Sequence, residues 1–251
     1  MSLNANAPIA VILAAGVGRR LGATHSGPKV LLDMGGRTLL RRRLEALAAA
    51  GVTDIRITTG FEAQALRNAV ETYGFADRVT YVENPRFGEG SLLSLQVQSE
   101  ALRSGRDVLV MDGDVLHDRR MIDRLLETPG EAVLLADPEL EPGDEPVKVC
   151  FRGDVIVDFR KVPEHAHERH GESVGFFRFG PAAARDLADR LDEVAASNPK
   201  LEYEEAIRDL ILRDPARFIA ADVGDLPWTE IDFEEDVAKA RRDILPQLEA
   251  V

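Results

Sequence analysis

Short apolar runs and helix-spaced apolar stripes take turns along the first half of this chain. Ile9-Ala10-Val11-Ile12-Leu13 is an unbroken apolar run, the pattern of a buried strand, and it predicts a strand over residues 9–14. Residues 37–50 carry Leu40, Leu44 and Leu47 at helical spacing, and Gly51 stands where a helix-ending glycine belongs. The alternation continues with a strand over 55–59, a helix over 62–73, a strand over 79–82 and a helix over 91–103. A strand over 107–111 then ends at Asp112-Gly113-Asp114, and a helix follows over 121–127. This rhythm predicts an α/β fold with a mostly parallel central sheet flanked by helices on both faces. Ligands bind beyond the carboxyl ends of strands in such sheets, so the loops after residues 14 and 111 should share one crevice.

The pattern changes after Glu131. Residues 132–136 and 146–160 read as strands on either side of the acidic loop 139–145, and 174–179 as a further strand. Helices are expected over 181–196, opened by Gly180-Pro181, over 203–212, and over the charged amphipathic segment 234–249. No internal repeat or long linker interrupts the chain, so one mixed α/β domain over 1–251 is expected, with added strands in its second half.

Charge and composition narrow the partners. The net charge of −13 argues against a long polyanion, because nonspecific nucleic-acid binding needs positive surface. No apolar stretch reaches membrane-spanning length, Met1 to Asn6 lack a charged-then-apolar leader, and the lone Cys150 excludes an internal disulfide framework. A cytoplasmic protein is expected, without membrane or nucleic-acid partners, with a homodimer as a possible assembly. Lys29, Lys148, Lys161, Lys200 and Lys239 are the only lysines, which makes one beside a glycine loop stand out.

That loop is Leu13-Ala14-Ala15-Gly16-Val17-Gly18-Arg19-Arg20-Leu21, followed by Pro28-Lys29. Glycines allow close backbone approach, free N–H groups can cradle phosphate oxygens, and Arg20 and Lys29 can add charge-assisted contacts. The spacing of Gly16, Gly18 and Gly22 misses both G-x-G-x-x-G and the Walker pattern, and a simple strand-to-helix turn also uses glycine. Asp112-Gly113-Asp114 at a strand end suits a hard cation such as Mg²⁺, although an ordinary Asp-Gly turn has the same residues. In Trp228-Thr229-Glu230-Ile231-Asp232, alternation puts Trp228, Glu230 and Asp232 on one face. Asp232 either completes a metal site with Asp114 or caps the acidic first turn of the last helix. Tyr203-Glu204-Glu205 reads as an acidic helix start or as an aromatic-plus-carboxylate pocket for an ammonium group. His165, His167 and His170 sit in a polar context that reads as a solvated loop rather than a metal site.

Together these pieces resemble the sugar-phosphate-type nucleotidyltransferases, a family with a Rossmann-like, GT-A-like fold. The opening loop with Arg20 and Lys29 looks like that family's phosphate loop, and the likeness extends over nearly the whole chain. Within the family, cytidylyltransferases acting on phosphocholine or 2-aminoethylphosphonate are most similar. Four segments carry this: Pro146-Val147-Lys148-Val149, Gly171-Glu172-Ser173-Val174-Gly175, Tyr203-Glu204-Glu205-Ala206 and Pro227-Trp228-Thr229-Glu230-Ile231-Asp232. The resemblance implies Mg²⁺ on Asp114 and Asp232, and catalytic Lys29 and Arg20 on the triphosphate of CTP. It also implies nucleotide contacts from Leu13, Ala14, Ala15, Gly16, Gly18, Arg19, Asn84, Ser91 and Asp112. Arg19 replaces a small hydroxyl residue common in the family, and the loop from Asn84 to Ser91 lacks the family's usual pair of asparagines. Lys148, Glu172, Tyr203, Glu204, Trp228 and Glu230 would hold a phosphoalcohol or phosphonate acceptor. Residues of roughly 8–130 form the expected nucleotide-binding half and 131–251 the acceptor-binding half. A sugar 1-phosphate or inositol 1-phosphate acceptor with CTP or UTP is the alternative within this fold. A nicotinamide-dependent oxidoreductase is a distant one, because its glycine spacing is not met. A non-catalytic nucleotide-binding module would not need Lys29, Asp114 and Asp232 together.

Overall fold

The computed structural model describes residues 7–18, 20–21, 27–139 and 145–248. The main sheet contains β1 (Ile9–Leu13), β2 (Asp54–Thr59), β3 (Val79–Glu83) and β4 (Val108–Asp112), with β6 (Ala132–Asp137), β9 (Arg169–Phe179) and β10 (Phe218–Asp222). Its path is β10-β6-β9-β4-β1-β2-β3. β1 runs parallel to β2 and β4, β2 to β3, and β6 to β10. Only β9 on this path is antiparallel, wedged between β4 and β6. Strands β7 (Lys148–Arg152) and β8 (Val155–Arg160) extend the sheet through β9 as a hairpin. A separate two-stranded ribbon joins β5 (Val115–His117) to β11 (Trp228–Glu230).

β1 explains the layering. Ile9 and Val11 belong to one apolar cluster, and Ala10 and Ile12 to the other. Successive strand side chains point to opposite faces, so an all-apolar strand demands cover on both. One face is covered by α1 (Leu39–Ala49), α2 (Ala63–Thr72) and α5 (Arg120–Glu127), through residues such as Leu44, Leu66 and Ile122. The other is covered by α3 (Ser91–Gln96), α4 (Ser99–Leu102), α6 (Pro181–Ser197) and α7 (Tyr203–Arg213), through Leu95, Leu102, Leu187 and Ile207. The parallel sheet with helices on both faces is therefore the architecture that the alternation predicts. α1 starts where Thr38 Oγ1 accepts from Arg41 N at 3.1 Å, and Gly51 follows it at φ +78°. Among the described residues no helix is long and apolar enough to cross a membrane.

The structure departs from the expected elements in five places. The helix expected over 91–103 is broken between α3 and α4, where buried Gln98 turns inward and donates to Thr58 Oγ1 at 2.8 Å. The strand expected over 146–160 folds back on itself, because Gly153 adopts φ +58° and makes the β7–β8 turn. The strand expected over 174–179 begins at Arg169, its outer part pairing with β7. The ribbon strand β5 is too short to give a periodic signal, and the edge strand β10, Phe218-Ile219-Ala220-Ala221-Asp222, carries no apolar-polar alternation. The helix expected over 234–249 is α-helical only over α8 (Glu234–Lys239) and then passes to a π turn. A short 3-10 turn containing Pro246 comes after it.

Two glycines bring the strand ends together. A Cβ on Gly113 would meet Leu13 O at 2.5 Å, and one on Gly175 would meet Asp112 Oδ2 at 2.1 Å. The β4 turn is thus packed directly against the end of β1. Gly113→Ala should lower stability by about 1–3 kcal/mol through overpacking. A urea midpoint equal to wild type would contradict that close approach.

Candidate active site

Three pockets meet at the carboxyl ends of β1 and β4, and Asp114 lines all of them. The first, about 270 Å³, is walled by Leu13, Ala14, Gly16, Gly18, Arg20, Lys29 and Asp232. The second, about 260 Å³, lies between Leu13-to-Gly16 and the loop Phe87 to Ser91, and also touches Asp112. The third, again about 270 Å³, is walled by Asp112, Glu145, Lys161, Glu202, Tyr203, Glu204 and Glu230 among others.

Lys29 is the centre of the first pocket. Its Nζ lies 2.9 Å from Asp114 Oδ2 and 2.6 Å from Asp232 Oδ1. Burial pulls this ammonium down, but the charges of Asp114 and Asp232 outweigh it and hold its pKa above the ordinary lysine range. Arg20 Nη1 approaches Asp232 Oδ2 at 3.4 Å, and its guanidinium rests 5.5 Å from the Phe233 ring centroid. Asp232 does not cap the last helix. Asp236 instead accepts from the backbone N–H groups of Asp232 and Phe233, leaving the Asp232 carboxylate turned to Lys29. The ribbon explains its arrival. β11 pairs with β5 in the register Glu230↔Val115, and Ile231 N donates to Asp114 O at 3.1 Å. One carboxylate oxygen each from Asp114, Glu230 and Asp232 therefore lies within 4.8 Å of the others. Three clustered oxygen donors suit a hard divalent cation.

The acid cluster continues into the third pocket. The Tyr203 phenol, 2% exposed, donates to Asp112 Oδ2 at 2.6 Å. Burial, then Asp114 and Glu204, raise Asp112 well above the usual carboxylate range. Burial and then Glu202 push Glu204 up to about 8, and its Oε2 is a buried acceptor without a partner. Desolvation in the cleft, then the charges of Asp114, Asp232 and Asp112, likewise raise Glu230. Opposite these groups, Lys161 Nζ is held between Glu145 Oε2 at 3.2 Å and Glu202 Oε1 at 3.1 Å. Glu145 also pairs with Arg20 at 3.4 Å.

Of the expected site residues, Leu13, Ala14, Ala15, Gly16, Gly18, Arg20, Lys29, Ser91, Asp112, Asp114, Tyr203, Glu204, Glu230 and Asp232 line these pockets. Arg19 and Gly22 lie outside the described residues. Four others are not brought to the pocket walls. Asn84, 1% exposed, lies beneath its loop, donating to Ser94 Oγ and accepting from Arg86 N. The Trp228 indole donates to Asp137 Oδ2 at 2.7 Å. Glu172 is buried between Asp137 and Lys148 in neighbouring strands, and burial, with Asp137 next in effect, pushes it up to about 7. Lys148 Nζ donates to Lys161 O at 2.8 Å and so braces the loop behind Lys161. The histidines also stay outside, with His167 Nδ1 2.9 Å from His165 O and Nε2 3.2 Å from His170 Nδ1. Lys161, Glu202 and Glu145 carry no motif that marks them in the sequence, yet lysine scarcity flags Lys161 as it flags Lys29.

The description "MobA-like NTP transferase domain" matches residues 10–175. The chain belongs to this family. It is a nucleotidyltransferase domain, as the opening loop implied. A CMP-5'-(3-aminopropyl)phosphonate synthase from Streptomyces rubellomurinus is 27% identical over 241 residues, covering 92% of this chain and 38% of the relative. A bifunctional IPC transferase and DIPP synthase from Rubrobacter xylanophilus is 28% identical over 241 residues, covering 94% of this chain and 52% of the relative. The chain thus spans about half or less of the length of these two curated relatives. The solved CTP:phosphocholine cytidylyltransferase from Streptococcus pneumoniae superposes with a TM-score of 0.74 at 21% identity, covering 93% of this chain and 98% of that one. That likeness establishes the shared fold.

The raised Glu204 carboxyl gives a signed stability prediction. Its folded pKa of about 8 lies above its ordinary 4.5, so the folded state holds the extra proton between those values. Wild-type stability should therefore fall as pH rises through that window, whereas Glu204→Gln carries no such loss. Thermal melts should coincide near pH 4 and separate by pH 9, with the variant more stable by at least about 1 kcal/mol. Parallel melting curves across that range would show that Glu204 is not buried as a neutral acid.

Proposed function

We propose that this protein transfers a cytidylyl group from CTP to a small ammonium-bearing phosphoalcohol or phosphonate, of the phosphocholine or 2-aminoethylphosphonate type, releasing pyrophosphate. The observation that carries the acceptor class is the third pocket. It is lined by Asp112, Glu202, Glu204 and Glu230, and Glu204 Oε2 offers a buried, unpartnered acceptor. An ammonium group bound there favours the ionised form of these carboxyl groups, which a polyol does not. The aminopropylphosphonate named for the Streptomyces rubellomurinus relative has this chemistry. CTP as the donor draws on the same relative, and its base would take the second pocket between residues 13–16 and 87–91.

In this reading residues of roughly 8–130 handle the nucleotide and 131–251 supply the acceptor side. A phosphate or phosphonate oxygen of the acceptor attacks the α-phosphorus of CTP. The new P–O bond forms as the bond to the bridging α,β oxygen breaks, and that oxygen leaves with pyrophosphate. The nucleophile is already anionic at neutral pH, so the chain needs no strong general base. Gly16 supports close approach of the triphosphate, because a Cβ there would meet no protein atom within 4 Å. Lys29 and Arg20 lie where they can neutralise charge on the transferring and leaving phosphates. Lys161 faces the acceptor side and supplies a cation for its phosphate or phosphonate. Asp114 and Asp232, with Glu230 beside them, would hold Mg²⁺, which when bound supplies charge neutralisation and alignment of phosphate oxygens.

The test is pyrophosphate release from each nucleoside triphosphate with Mg²⁺ and a panel of acceptors. We expect CTP with an aminoalkyl phosphate or phosphonate to lead, and activity confined to inositol or sugar 1-phosphates would refute the acceptor class. Lys29→Ala should stay folded and lose about 10²–10⁴ in kcat. Near-normal turnover would remove Lys29 from the mechanism. Glu204→Gln should raise KM for the ammonium acceptor about tenfold or more, leaving KM for CTP within about twofold. An equal effect on both constants would place Glu204 outside the acceptor pocket.

A further inference from the structure

Beneath the carboxylates lies a cation that the proposed mechanism does not use. Arg43 projects from α1 and is 1% exposed. Its Nη1 donates to Asp112 O at 2.7 Å and its Nη2 to Val115 O at 3.0 Å. These carbonyls flank Gly113-Asp114, so one planar guanidinium grips both ends of the turn that carries Asp114. The guanidinium also lies over the Phe176 ring, 4.4 Å from its centroid. Its Nε is buried without a partner. The fork is therefore committed to the two carbonyls at the expense of its Nε donor. Lysine cannot reproduce this grip, since a single ammonium lacks the spread of two parallel N–H donors in one plane.

The grip sets distances well beyond the turn. Val115 opens β5, and β5 sets the register of β11, which delivers Glu230 and Asp232. Asp114 O is itself bonded to Ile231 N. Holding residues 112 and 115 apart by a fixed distance thus fixes Asp114 directly and Asp232 through the ribbon. We propose that Arg43 is the positioning residue of the cation-binding turn, setting the spacing between Asp114 and the β11 carboxylates. The proposal rests on these carboxylates holding a divalent cation, as in the proposed function. Arg43 touches no substrate and takes no part in the transfer itself.

The experiment titrates Mn²⁺ into the full chain with α,β-methylene-CTP present and tracks water-proton relaxation, which reports Mn²⁺ held on the protein. Arg43→Lys keeps the charge and removes the two-point grip. It should bind Mn²⁺ about tenfold more weakly than wild type and lose kcat by a similar factor, with KM for the acceptor within about twofold. Phe176→Leu removes the ring but not the carbonyl bonds. It should lower Tm while leaving Mn²⁺ affinity within about twofold. Should Arg43→Lys fail to fold, Arg43→Met, which keeps the length and the ring contact, takes its place in the same titration. Wild-type Mn²⁺ affinity in a folded Arg43 variant overturns the proposal and leaves the metal reading standing. So does an equal loss of affinity in Phe176→Leu, which marks Arg43 as packing alone. Wild-type protein that binds no Mn²⁺ overturns the metal reading, and the proposal with it.

Discussion

The ammonium group of Lys29 lies between two carboxylates that reach it from far along the chain. Asp114 is 85 residues away and Asp232 is 203. No local preference brings these segments together, and without the lysine they would not stay together cheaply. Asp112, Asp114, Glu230 and Asp232 crowd one cleft, and neighbouring like charges at partly buried positions repel by several kcal/mol. Lys29 converts that repulsion into attraction at two points. Its own burial is tolerated because both partners are close and hydrogen-bonded. Burial and the remaining like charges still raise the carboxyl groups of Asp112, Glu204 and Glu230, and Lys29 offsets this only in part at Glu230.

The same arrangement makes an acidic protein compatible with an anionic ligand. With a net charge of −13 the chain does not attract a triphosphate through its overall field. Attraction has to be local, and the cations are placed accordingly. Arg20, Lys29 and Lys161 face the pockets, each already engaged by carboxylates. Phosphate oxygens would replace those carboxylates as partners rather than meet bare cations. Such an exchange favours a ligand that brings several oxygens in fixed geometry, because an exposed pair such as Arg20–Glu145 or Lys161–Glu202 by itself changes the free energy little.

The nucleotide side and the acceptor side are also tied mechanically. Tyr203 N donates to Ser91 Oγ at 3.1 Å, and Leu92 N to Leu201 O at 3.2 Å. Gly90 lies against the backbone of residues 199–201 with no room for a Cβ. From the same residue that holds Ser91, the Tyr203 phenol reaches Asp112 at the end of β4. The loop beside the second pocket and the helix beside the third are consequently one packed unit. A shift in either moves the acid cluster between them, since close-packed interiors transmit displacement rather than absorb it.

Much of this was legible in the order of residues. Local pattern determined the strands and helices of the first half, because side-chain periods of 2 and 3.6 are set by backbone geometry within a few residues. The glycine loop with Lys29, and the placing of Asp112-Gly113-Asp114 at a strand end, came from the same local rules. Where local pattern misled, a long-range contact had overridden it, as when Gln98 broke a helix by turning onto Thr58. Trp228 shows what the sequence leaves open at the site itself. Its indole is bonded to Asp137 on β6, a partner that no local rule names. Only the tertiary structure decided that Asp232 would meet Lys29 rather than cap a helix, and that Arg43 would grip the turn from below. Those outcomes depend on strand register and on which buried group finds a partner, and both are properties of the packed whole rather than of any window of sequence.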